Sequence, residues 1–213
     1  MSRQLDGNLG SVVLLASLAA IGQFSSNIYT PSLPFIAAEF AVSPGAAQFT
    51  YTVFLATLGV GQLLVGPLAD AVGRRPIALW GLAVFLLGTV LAAAAPSLGL
   101  LNGARVIQAA GAAAALVASR AATRDAFDGP ELVKVFAAIT IAFALVPALT
   151  PLLGGVVEWL AGWRAVFGLP LIVGLLVTAH TLSRLPETLP QRKALSIQGA
   201  AQAYVAVFKA PSF

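Results

Sequence analysis

Along this chain the apolar residues fall into long runs almost free of charge, separated by short segments that carry charge, Gly and Pro. Those windows predict six helices that cross a bilayer, at about Leu9 to Leu33, Ala46 to Leu68, Pro76 to Ala95, Leu98 to Ser119, Leu132 to Val157 and Ala165 to Leu185. Length is the deciding quantity. A spanning helix needs roughly 20 mostly apolar residues, because its backbone must close its own hydrogen bonds where no water competes. The expected fold is an all-α membrane protein of six transmembrane helices, and an even number of crossings puts both chain ends on one side. The first run, with Arg3 before it, mimics a cleavable signal peptide, but it continues through Gln23 and Asn27 to Pro31-x-x-Pro34 and further spans follow. A signal core is only about 7 to 15 residues, so this segment reads as a retained helix that stops at those prolines.

Composition adds exclusions. Of 213 residues, 59% are hydrophobic and 9% charged, against about a quarter charged in a soluble domain, so no water-soluble surface can be built. The 12 basic residues outnumber the 8 acidic ones, yet they lie between apolar runs instead of in a patch, which argues against nucleic acid as a partner. Their placement instead orients the bundle. Arg3, Arg74, Arg75, Arg120, Arg124, Lys134, Arg184, Arg192, Lys193 and Lys209 fall on the side of the termini, Arg164 alone on the other, and Arg105 within a span. By the positive-inside rule the termini are cytoplasmic. Trp159 and Trp163 then fall at the outer membrane boundary and Trp80 near the inner one. There is no cysteine, hence no thiolate metal site, and the lone His180 beside Arg184 reads as interfacial, so no metal or cofactor is expected.

Two exits resemble each other. Gly66-Pro67, Asp70, Gly73 and Arg74 after the second span match in order Gly154-Gly155, Glu158, Gly162 and Arg164 after the fifth. These spans hold equivalent places in two three-helix units of opposite topology, as in a nested 3+3 inverted repeat. In the first of these loops Gly66 and Gly73 permit close approach and a tight turn, while Asp70 and Arg74 set opposite charges four residues apart. Such a pair can be remade between states; Arg75 reads as a topology-holding charge. Arg105 is the one charge well inside the hydrocarbon, where insertion costs about 2.5 to 3.5 kcal/mol. Counting residues from the helix ends puts Asn27 at its depth. Gln23, Asn27 and Thr30 share a face of the first span, and Gln48, Tyr51 and Gln62 a face of the second. Such stripes line either a central cavity or another helix. The fifth span carries Pro147, Pro151, Gly154 and Gly155, which predict a kinked, small-faced helix.

Together these residues resemble the major facilitator superfamily, and within it the bicyclomycin-resistance (Bcr/CflA) type of drug:proton antiporter, along nearly the whole chain. The resemblance rests on Asn27-Ile28-Tyr29-Thr30-Pro31-Ser32-Leu33-Pro34, on Gly66-Pro67-Leu68-Ala69-Asp70-Ala71-Val72-Gly73-Arg74-Arg75-Pro76, and on Arg105-x-x-Gln108. Further matches are Thr150-Pro151-Leu152-Leu153-Gly154-Gly155, Gly162-Trp163-Arg164-Ala165-Val166-Phe167 and Pro186-Glu187-Thr188-Leu189-Pro190. The loop between the second and third spans is the most specific of these. The resemblance implies half of a twelve-helix fold, with residues 1–189 as its amino-terminal domain and 190–213 as the start of a central cytoplasmic linker. It implies export of small lipophilic drugs by secondary, proton-coupled antiport across a bacterial cytoplasmic membrane. Asp70, Gly73 and Arg74, with Arg124 and Asp125 as partners, would form a conformational switch. Gln23, Asn27, Tyr51, Gln62, Arg105 and Gln108 would serve substrate or coupling, and Pro151, Gly154 and Gly155 would be an antiporter-like motif.

Three departures qualify this. Asn27 stands where relatives often carry an aspartate, and an amide cannot take up the coupling proton. No other acid is expected at mid-membrane, since Glu39 and Glu158 fall near the outer boundary and Asp70 near the inner. Ala71 replaces a frequent basic residue, and Thr150 a glycine. An intramembrane enzyme is not expected, because His-Glu-x-x-His, paired mid-membrane aspartates and Gly-x-Ser-x-Gly are all missing. Rings of charge or a filter loop that would signal a channel are missing too. The alternatives within the transporter class are a half-transporter inactive without its carboxy-terminal six helices, or a permease assembled from two copies.

Overall fold

The computed structural model describes Leu5 and residues 7–189. The linker expected over 190–213, with Arg192, Lys193 and Lys209, and Arg3 at the start, lie outside the described residues. The chain forms α1 (Leu9–Ile28), a 3-10 turn (Thr30–Ser32), α2 (Leu33–Glu39), α3 (Pro44–Val72), α4 (Arg74–Ala93), α5 (Leu98–Ala126), α6 (Gly129–Ala161), α7 (Trp163–Val166) and α8 (Gly168–Arg184). No strand occurs among the described residues. Six units are long and apolar enough to cross a membrane: α1 with α2, then α3, α4, α5, α6, and α7 with α8. Local chemistry starts them. The side chains of Asn8, Ser43 and Ser97 accept the backbone N–H of Ser11, Ala46 and Leu100 at 3.0, 3.2 and 3.4 Å, which satisfies donors a helix cannot satisfy itself.

Boundaries differ from the sequence windows in two ways. Helices overrun the apolar segments, so that α5 continues past Ser119 through Arg120, Arg124 and Asp125, and α6 starts before Leu132. The Pro31-x-x-Pro34 stop is also not a stop. Each proline occupies the first turn of a new helical segment, where its missing N–H costs nothing, and the chain continues to Glu39. Trp80 and Trp159 point outward, 71% and 84% exposed. Trp163, expected at the outer boundary, lies at the turn from α6 into α7, at the end of the bundle away from the start of α1, but is buried at 4% exposure, edge-on to Phe40 and Phe167.

The bundle is assembled around α5. It packs most extensively on α4 and α3 and also on α1, while α1 packs on α6 and α8, and α4 on α8. Exchanging the first span with the fourth, the second with the fifth and the third with the sixth converts these pairings into one another, as an inverted repeat requires. The α4–α5 seam is the tightest. A Cβ on Gly111 would collide with the Phe85 amide and the Gly81 carbonyl, one on Gly88 with the Gln108 backbone, and one on Gly81 would come within 2.6 Å of the Ala114 methyl. Glycine and alanine there let backbones approach as membrane helices do. Two apolar clusters form the interior. One, with Leu14, Leu18, Phe85 and Leu116, lies toward the face holding the start of α1 and the end of α8, here called the terminal face. The other, with Ile28, Ile36, Val166 and Phe167, lies toward the far face.

Candidate functional site

At the terminal face α3 ends on Gly73, whose φ of 118° is a conformation other residues rarely adopt. The chain turns straight into α4, placing Arg74 at the new helix's start. Its side chain is 8% exposed; Nε donates to Asp125 Oδ2 at 2.8 Å and NH1 to Asp70 Oδ1 at 2.6 Å. The Arg74 backbone N–H donates to Glu187 Oε1 at 2.9 Å, so a carboxylate from beyond α8 sits on the positive end of α4. A side chain at position 73 would run into that same carboxylate. Of the residues expected here, Asp70, Gly73, Arg74 and Asp125 come together. Arg124 does not: it is exposed in the last turn of α5 and has no salt bridge among the described residues. Glu187 is the member that residue chemistry missed; only its place in the Pro186-Glu187 segment marked it. Arg75, read as a topology charge, donates to the Leu182 carbonyl at 3.0 Å.

Between the two apolar clusters lies a polar layer. Arg105 and Gln108, three residues apart on α5, are both fully buried. Arg105 NH1 donates to Gln108 Oε1 at 2.6 Å and to the Ser25 carbonyl at 3.4 Å, and Gln108 Nε2 donates to Thr89 Oγ1 at 2.7 Å. The guanidinium lies 4.2 Å from the Tyr29 ring centre and 4.1 Å from that of Phe54, an arrangement in which ring quadrupoles offset part of the lost hydration. The Tyr29 hydroxyl is in turn bonded to Thr50 Oγ1 at 2.7 Å. Arg105 Nε and NH2 have no partner, and no carboxylate pairs with it among the described residues. Asn27 shares the depth but not the contact. Its amide donates to the Gln23 carbonyl at 2.8 Å and to Gln23 Oε1 and Ser26 Oγ at 3.2 Å, all on its own helix. Gln23, Tyr51 and Gln62 are half-buried, with Gln62 donating to the Leu58 carbonyl at 3.1 Å. Interhelical packing therefore holds Arg105 and Gln108, while the stripes of α1 and α3 keep partial exposure.

In α6 both Pro147 and Pro151 are accommodated within one continuous helix. Thr150 donates to the Val146 carbonyl at 2.8 Å. Gly154 lies directly on the Ile28 carbonyl, with no room for a methyl group, and Gly155 is near Pro31. Pro151 is half-buried beside them. The motif thus docks α6 against the point where α1 breaks.

Six membrane-length helices, tied into two exchangeable triplets around a buried arginine layer, define a multi-pass membrane protein of transporter architecture. The chain belongs to the Major Facilitator Superfamily, whose family model matches residues 15–213. It is 34% identical to Multidrug resistance protein D of Escherichia coli over 89% of this chain and 48% of that protein. It is 36% identical to a Bicyclomycin resistance protein homolog of Haemophilus influenzae over 83% of this chain and 44% of that one. A crystal structure of the peptide transporter POT in complex with sulfate superposes with a TM-score of 0.76 at 16% identity, covering 97% of this chain and 45% of the other. At that identity the likeness shows the fold alone. The family resemblance read from the motifs is thereby borne out, and fold and relatives are those of transporters, not enzymes. The chain spans about half the length of the curated relatives it matches.

Proposed function

We propose that this chain is the amino-terminal half of an exporter of small lipophilic drugs, working by secondary antiport in a bacterial cytoplasmic membrane with the terminal face inside. The reading is carried by the alignment of more than four-fifths of the chain with proteins named for multidrug and bicyclomycin resistance. Orientation follows from charge: Arg74, Arg75, Arg120, Arg124, Lys134 and Arg184 belong to the terminal face and Arg164 to the far one. The Asp70–Arg74–Asp125 cluster acts as a switch on the cytoplasmic side, because its ion pairs join the second-to-third-span turn to the end of the fourth span and can be remade. Proton coupling uses a carboxylate outside this half's polar layer, since Asn27 cannot titrate.

A second six-helix unit supplies the rest of the site. Among large apolar residues such as Leu64 and Leu152, the uncovered sides of α3 and α6 also expose small and polar ones, Thr52, Ala56 and Gly59 on one and Ala137, Ala144 and Ala148 on the other. Small residues favour a docked helix over lipid. The unit is the carboxy-terminal half of a longer chain or a second copy of this one. Expression in a drug-hypersensitive bacterium, alone and fused to the carboxy-terminal half of a relative, separates these. Resistance from the fusion only is the expected result, resistance from the chain alone supports the two-copy permease, and resistance from neither overturns the export reading. In the active form Asp70→Asn is expected to abolish efflux with membrane insertion intact; normal efflux would remove the switch.

A further inference from the structure

The far face carries a second arginine cluster that the export reading does not use. α6 ends on Gly162 with φ 79°, as α3 ends on Gly73, and Arg164 follows two residues later. Arg164 NH1 donates to Glu39 Oε1 at 2.6 Å and NH2 to the Ala95 carbonyl at 3.1 Å. The other oxygen of Glu39 accepts the Trp163 indole N–H at 2.6 Å, and the guanidinium stacks 4.2 Å from the centre of that ring. The exchange of spans maps the Arg164–Glu39 pair onto Arg74–Asp125, while Glu158, the counterpart of Asp70, has no salt bridge among the described residues, and Trp163 holds the carboxylate instead. Asp125 closes the fourth span and pairs with the arginine after the second; Glu39 closes the first and pairs with the arginine after the fifth. A further partner comes from just beyond a span in each, although Glu187 takes the Arg74 backbone N–H and the Ala95 carbonyl takes the Arg164 side chain.

We propose that Glu39, Trp163 and Arg164 form a far-face clasp, built on the internal-symmetry counterpart of the Arg74–Asp125 pair, that positions the far ends of the two three-helix units against each other. One exposed ion pair would do little, and Glu39 and Arg164 have side chains 43% and 41% exposed. The clasp differs from such a pair in its indole. Both carboxylate oxygens are held by neighbouring residues of α7, and Trp163 is buried, so losing the carboxylate leaves a buried N–H without an acceptor. The three groups therefore act as one unit, and the inference does not depend on drug export.

The chain's three tryptophans make the test direct. With Trp80→Phe and Trp159→Phe, Trp163 is the only indole, and its quenching by aqueous acrylamide is measured in lipid vesicles. It is expected to be shielded in the parent, and severalfold more quenched with Glu39→Ala or with Arg164→Gln. Glu39→Gln, which keeps an acceptor for the indole but not the charge, is expected to fall between. The Glu39→Ala/Arg164→Gln pair should be no more quenched than the worse single variant, since coupled groups fail additivity. Asp125→Asn should leave Trp163 shielded, because that cluster lies at the other face. Unchanged quenching with Glu39→Ala, or effects that add, would overturn the clasp; if Glu39→Ala fails to insert, the same comparison stands on Glu39→Gln.

Discussion

α5 and α6 are both long membrane-crossing helices, and they obey opposite rules to those of a soluble protein. By hydropathy α5 is the least apolar of the six spans and α6 the most, yet α5 is the most deeply buried and α6 the least. In water the order would be reversed, because removing large apolar side chains from solvent is what drives folding. Lipid removes that drive. What remains is close packing and internal hydrogen bonding, so the helix with Ala and Gly on every side and a polar pair at its middle occupies the centre. The helix rich in Leu, Val and Ile lies at the periphery of these six spans, with Leu149, Leu152 and Val156 all more than half exposed.

The most damaging way to break this contrast is to enlarge the α4–α5 seam. Gly111→Leu must push its side chain into the Phe85 amide and the Gly81 carbonyl, which cannot rotate away. The expected loss is about 3 kcal/mol or more, at or beyond the upper end of overpacking penalties. It should be read as loss of monodisperse, folded chain in detergent and a sharply lower melting temperature. A variant that melts like the parent would mean that α5 is not the close-packed centre.

This also explains which parts were legible beforehand. The six spans follow from apolar length alone, since the bilayer sets it. The helix ends do not, because α5 runs on through Arg120 and Arg124 once outside the hydrocarbon, and no hydropathy window reports a helix in water. The Asp70–Arg74 pair was readable because its partners are four residues apart, whereas Glu187 reaches Arg74 across 113 residues. Gln108 was marked only by the Arg105-x-x-Gln108 motif of the family resemblance, and its bond to Arg105 was not read from the residues. Asn27 was placed at the right depth, but depth does not fix the face of a helix, and its amide turned back onto Gln23. Trp163 lies at the end of the bundle where its residue type put it, but residue type does not report burial, and its N–H is taken up by the Glu39 carboxylate.

A smaller effect is expected inside the polar layer. Gln108→Leu keeps the volume of α5 but takes from Arg105 its 2.6 Å acceptor, leaving the 3.4 Å bond to the Ser25 carbonyl, and strips Thr89 of its donor. A buried group left short of partners costs about 1–3 kcal/mol. Arg105→Met in the same background should recover part of that loss, because removing an under-satisfied buried charge also removes its desolvation cost. Equal stability of the single and double variants in detergent melts would show that the aromatic rings, not Gln108, are what hold the guanidinium.

The smallest effect on stability separates the two helices best. Ala148→Leu enlarges an uncovered position of α6, where lipid or detergent accommodates the added carbons. The melting temperature of this chain should barely move, within about 0.5 kcal/mol, as for substitutions away from packed contacts. In the fusion with a relative's carboxy-terminal half, the same residue stands in the small-residue stripe proposed to receive the second six-helix unit. There it should weaken assembly and drug resistance while the stability of this half is unchanged. That split follows because the added carbons replace lipid contacts in one case and displace a docked backbone in the other. If resistance survives Ala148→Leu, the stripe faces lipid, and the uncovered side of α6 is a bilayer surface even in the assembled exporter.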